Sequence, residues 1–224
     1  MKFIFKWLFR LCLLAVVLVV ILLLSLDTIL RVAAERSIRT QTGMDAEIGR
    51  FHLGLLEPVV TIRDLKIHNP PSFGGTPFLD IPEIHVEYDR AALRNHQVHL
   101  TLVRFNLGEL DIVKNEAGQT NLFTLGVALP TNNPAASQQS LATFKKQTGL
   151  TFQGADVVNV SVGTLKFIDL KNPRNNREQK VSIENQVIKN VKTPADLAGL
   201  GLLVILRGGD FFGSLAAPSG LKWP

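Results

Sequence analysis

Five histidines are the residues best suited to metal or proton chemistry in this chain, and His52, His68, His85, His96 and His99 all fall within positions 52–99. A zinc site built from them would need three imidazoles and a carboxylate, because the single cysteine, Cys12, lies inside an apolar run. His96 and His99 are an odd number of residues apart, so on a strand they point to opposite faces. Solvated or capping histidines are expected, and no metal. The carboxylates Asp64, Asp80, Glu83 and Glu87 alternate with apolar residues, the pattern of a solvated sheet face rather than of a general acid–base pair. No GxSxG, HExxH or phosphate-cradling glycine loop occurs. The sequence therefore predicts no catalytic residues and no cofactor.

Charge narrows the partners. The chain has 224 residues, 46% of them hydrophobic, with 24 Lys+Arg against 19 Asp+Glu. The basic excess is concentrated at the start, where Lys2, Lys6, Arg10, Arg31, Arg36 and Arg39 face only Asp27 and Glu35. The remaining body is nearly neutral and lacks the charge that phosphate binding requires, which excludes a nucleic-acid module.

The elements that would carry any function begin with a membrane anchor. Residues 7–26, from Trp7 to Leu26, form a helix of about 30 Å, long enough to cross a hydrocarbon core. Leu11–Leu26 carries no charge, Arg10 can snorkel to the head groups, and Phe3, Phe5, Trp7 and Phe9 make an interfacial belt. The competing reading is a cleaved signal peptide ending at Val32-Ala33-Ala34. Asp27 and Arg31 separate that tripeptide from the apolar run, which favours a retained anchor. Residues 1–10 would form a cytoplasmic tail, since the three upstream bases stand without acids.

Residues 27–42 read as a juxtamembrane helix stopped by Gly43. The apolar period then changes to two. A first β unit (43–129) contains alternating Ala46, Ile48 and, after a phase shift at Gly49 that suggests a bulge, Phe51 and Leu53. Val60, Ile62, Leu65 and Ile67 continue the pattern, then Ile84, Val86 and Tyr88, followed by Asp89 as N-cap of a helical turn through Leu93. Val98, Leu100, Leu102 and Leu110, Ile112 come next, separated by Asn106-Leu107-Gly108. Short strands joined by turns imply antiparallel sheet. Residues 130–139 read as a linker, and a second β unit (140–224) includes Val158, Val160, Val162, Leu165 and Phe167. It ends in an apolar helix over 194–207, opened by Thr193-Pro194-Ala195-Asp196, which is expected to be buried all round.

Several segments in order resemble the AsmA-like family of bacterial envelope proteins. These are the single span, Thr42-Gly43-Met44-Asp45, Glu47-Ile48-Gly49-Arg50-Phe51, the strand Val60–Ile67 running into Asn69-Pro70-Pro71-Ser72-Phe73-Gly74, Ile81–Tyr88, and the turn Val113–Leu122. The resemblance covers roughly residues 2–122. It implies an inner-membrane anchor with the body in the periplasm, curved sheets around an apolar groove, and a part in phospholipid transport or outer-membrane homeostasis. Asn69, Pro70, Pro71, Gly74, Gly118 and Asn121 would then be structural turn residues, Pro fixing φ and Gly permitting φ > 0.

The expected fold is mainly β (α+β): a transmembrane helix followed by curved antiparallel sheet with a few short helices. Eight to ten strands at ~4.8 Å would give a groove of roughly 40–50 Å, too short to bridge two membranes. The inward-facing candidates are Val60, Ile62, Ile84, Val86, Tyr88, Val98, Leu100, Leu102, Leu110 and Ile112. The expected partners are membrane phospholipid and other envelope proteins. The alternative is a structural or adaptor protein whose sheet is filled by its own side chains.

Overall fold

The structure is a computed structural model that describes residues 25–40, 42–54, 56–121 and 134–208. It is mainly β, with 51% strand and one six-stranded mixed sheet in the order β1-β2-β3-β4-β5-β6. The strands are β1 (Asp45–Leu53), β2 (Val59–His68), β3 (Pro77–Tyr88), β4 (Gln97–Lys114), β5 (Thr151–Asp169) and β6 (Arg177–Val191). Among the described residues four helices accompany them: α1 (25–40), α2 (Arg90–Arg94), α3 (Pro134–Thr148) and α4 (Ala198–Gly208).

Two expectations are corrected by this topology. The sheet is not wholly antiparallel, because β4 and β5 pair in parallel from Gln97↔Thr151 to Lys114↔Asp169. A parallel neighbour requires a return connection, and α3 belongs to it. The second half of the 130–139 linker, from Pro134, is accordingly helix. The two β units are also joined edge to edge by this parallel pairing, so their strands form a single sheet.

Strands β1 to β5 break their alternation along one transverse line. Gly49 lies opposite Asp64, between the pairs Ile48↔Leu65 and Arg50↔Arg63. The line continues through Pro82, Gly108 and Gly163, and beside it β6 shifts register while Val181 and Ile183 both stay buried. Asp64 and Ser182 take left-handed φ values of 55° and 48°. Directly paired residues share a face, so the simultaneous phase change keeps apolar residues on the same side above and below the line. Val60 and Ile62 stand above it on β2, and Leu65 and Ile67 below. The phase shift read at Gly49 is therefore one element of a crease that crosses β1 to β5.

Both lateral edges are dressed. Asp27 Oδ1 accepts from Leu53 N at 3.0 Å and Glu35 Oε1 from Ile48 N at 2.9 Å, so α1 occupies two N–H groups of the β1 edge. Its Ala34 and Ile38 pack against Ile48, Leu65 and Ile81. Gly43, with φ 70°, ends the helical segment. At the other side, Thr193 and Asp196 form a capping box, and a 3-10 turn (Pro194–Leu197) leads into α4. Leu197, Leu200, Leu203 and Val204 pack on the cluster of Val158, Val160, Val162, Leu165 and Ile183. The apolar helix is not buried all round: Leu202 is 57% and Leu206 67% exposed.

The anchor residues Trp7, Arg10 and Leu11 lie outside the described residues, and Leu26 falls in α1. Among the described residues no helix is long and apolar enough to cross a membrane.

Candidate functional site

The apolar face of the sheet collects most of the expected inward residues into transverse rows. Val60 pairs with Val86, which pairs with Val103 and, through it, with Val158. Ile62, Ile84, Phe105 and Val160 make the next row. Tyr88, Leu100 and Ala155 form a row above them, and Leu110 lies between Leu79 and Leu165 below the crease. Ile112 is fully buried beside Phe167. Helices α1 and α4 cover the flanks, while Val60, Ile62, Ile84, Val86 and Val103 between them stay half-buried.

Leu102 is the exception. It pairs with Glu87, whereas the next step joins Tyr88 to Leu100, so Thr101 is an extra residue in β4. That bulge turns Leu102 to the polar face, where Glu87 and Val157 flank it. The same bulge hid Val103 and Phe105 from a strict alternation begun at Val98. Leu93 on α2 was missed as well, since its only sequence signal was a helical turn.

At one end the face opens into a cavity of about 290 Å³ lined by Val60, Tyr88, Leu93, Val98, Leu100 and neighbouring residues of the β3–β4 corner. This corner is rigidly built. Asp89 caps α2 by accepting from Ala91 N at 2.7 Å, and Asp89 N donates to His99 O at 2.9 Å. At about 290 Å³ the cavity lies just below the roughly 300–1,000 Å³ range of ligand pockets, a size that suits part of a hydrocarbon chain.

The opposite face is polar, and several of its charged groups pair. Glu83 bridges Arg63 and Arg104 at 3.6 Å each, and Lys166 meets Glu109 at 2.7 Å. His85 lies between Thr61 (2.9 Å) and Glu87 (3.2 Å), His52 meets Asp27, and His99 meets Asp156. Each of these histidines has one carboxylate partner, and among the described residues no group of three or more potential ligands could hold a metal ion.

Asp111 is the costly member of this face. It is only 4% exposed, and its Oδ1 has no partner. Burial pushes its pKa up to about 7, with repulsion from Glu109 adding to the effect and Lys166 opposing it. A carboxyl whose folded pKa exceeds its unfolded value holds extra protons in the folded state, so stability falls as pH rises from about 4 to about 7. Asp111→Asn removes that slope. Urea unfolding should find the variant more stable than the parent by about 2 kcal/mol at pH 8 and nearly equal at pH 4. A parallel pH dependence in the two proteins would refute the buried-acid account.

The turn residues lie at the far end of the sheet from the cavity. Pro70 and Pro71 open a 3-10 turn closed by Gly74 at φ 79°, and Gly118 has φ 81°. Asn69 and Asn121 are buried and joined by a 2.9 Å hydrogen bond that the sequence did not announce. No family model, curated protein or solved structure matches the chain, so the functional reading stands on this geometry and on the sequence.

Proposed function

We propose that this protein is a non-enzymatic lipid-binding module, tethered to the bacterial inner membrane by residues 7–26 with its body in the periplasm. There it serves phospholipid transfer or outer-membrane homeostasis. The observation that carries the reading is the half-buried aliphatic face that runs between α1 and α4 and ends in the open cavity at Val60, Tyr88, Val98 and Leu100. Such a lining offers area without directional partners, which is what an acyl chain requires. Six strands at about 4.8 Å span roughly 24 Å across the sheet, against 40–45 Å for one bilayer with its head groups. The module thus holds a lipid near its own membrane and hands it on, rather than forming a bridge alone.

Native mass spectrometry of the detergent-stripped protein should detect phospholipid adducts. Leu100→Asp should remove them, while Leu102→Asp, placed on the polar face, should leave them in place. Leu100 also packs on the core, so Val98→Glu at the cavity wall provides a second test if Leu100→Asp unfolds. A folded, lipid-free parent would sink the proposal, as would equal adducts in the Val98 and Leu102 variants. The adaptor reading draws on a different feature, the exposed Leu202 and Leu206 of α4, and requires envelope-protein partners that those leucines recruit.

A further inference from the structure

We infer that the cavity end of the sheet rests on the bilayer, with Leu56 of the β1–β2 connection inserted among the lipids and α2 at head-group level. The inference depends on the anchored reading above and adds a second membrane contact to it. Three chain reversals meet at this end: Tyr88 N donates to Pro58 O (3.0 Å), Asp89 N to His99 O (2.9 Å) and Thr151 N to His96 O (2.9 Å). The start of α1 lies at the same place, because Asp27, which follows the apolar run 7–26 in the sequence, accepts from Leu53 N at the end of β1.

Turn tips are ordinarily built from Gly, Pro, Asn, Asp and Ser. This one presents Leu56 at 92% exposure, and Leu93 of the neighbouring corner is 40% exposed. Both leucines therefore stand out from the end through which the anchor would leave for the membrane. Arg90 and Arg94 share α2 with Leu93, and guanidinium groups at that depth suit anionic head groups, with Glu57 the adjoining acid. Leu93 also lines the cavity, so a rim seated in the bilayer would bring the cavity mouth to the lipid and let an acyl chain enter without crossing water.

The test uses the full chain in a Cys12→Ser background. Leu56→Cys or Leu93→Cys carries an environment-sensitive fluorophore, and Ser72→Cys, on the 3-10 turn at the opposite end of β2, serves as the distal control. The protein is placed in vesicles of phosphatidylethanolamine and phosphatidylglycerol with brominated acyl chains. Labels at positions 56 and 93 should be quenched at least two-fold by the bromine, and the label at position 72 should not. If the chain resists alkaline extraction yet both rim labels are quenched by aqueous iodide as fully as the distal one, the rim does not touch the bilayer and only this inference fails. If alkali strips the chain from the vesicles, the anchored reading fails and takes the rim with it.

Discussion

Gly163→Ala should be the most damaging single-methyl change in the sheet, costing at least about 3 kcal/mol. A Cβ at Gly163 would lie 2.4 Å from the backbone carbonyl oxygen of Gly108 on the neighbouring parallel strand. That oxygen cannot swing away as a side chain can, because Leu107↔Val162 and Glu109↔Thr164 hold the register on either side. To relieve the clash, β4 and β5 must separate at the centre of the molecule, where the two strand sets join. For a protein of this size each kcal/mol shifts Tm by roughly 2–4 °C, so a drop of about 6–12 °C is expected by calorimetry. Gly199→Ala is the control. It is a helical position with nothing within 4 Å of the added methyl, and should gain about 0.5–1 kcal/mol. A Gly163→Ala protein as stable as its parent would mean that the crease is not a close backbone contact.

Asn121→Ala should cost about 3–5 kcal/mol, although it touches neither the apolar face nor the cavity. The Asn121 side chain is fully buried. Its Oδ1 accepts from Val113 N at 3.0 Å, and its Nδ2 donates to Asp111 O at 2.8 Å and to Asn69 Oδ1 at 2.9 Å. Truncation strands a buried backbone donor, a backbone acceptor and an amide oxygen together, and water would need room to replace them. Asn69→Ala should cost less, since Asn121 would keep both backbone bonds. The double variant should be less damaging than the sum of the two singles, revealing the shared bond in a denaturant-unfolding cycle. Strict additivity would show that the two turns are stabilised independently.

Much of the local structure was legible in the residues. The period of two along Val60–Ile67, Ile84–Tyr88 and Val158–Phe167 marks strands because one face of each must be buried. Asp89, Gly43 and the Thr193–Asp196 box mark helix ends because the backbone groups there need partners or a left-handed residue. The Asn106-Leu107-Gly108 stretch misled the strand count: it reads as a turn, yet β4 runs through it as one strand of 18 residues. Glycine in a strand signals either a break or a close approach of another backbone, and only the position of β5 decides between them.

Alternation and capping depend on contacts within a few residues, so the sequence by itself determined the mainly β class, the helix ends and the aliphatic stripe. It could not determine which strands would be neighbours. The parallel join of β4 to β5, the crease aligned across five strands, the bond between Asn69 and Asn121, and the bulge that turns Leu102 away all arise from pairing between distant segments. Tertiary structure alone decided them, because register between strands is set by the packing of whole faces and not by any residue's local preference.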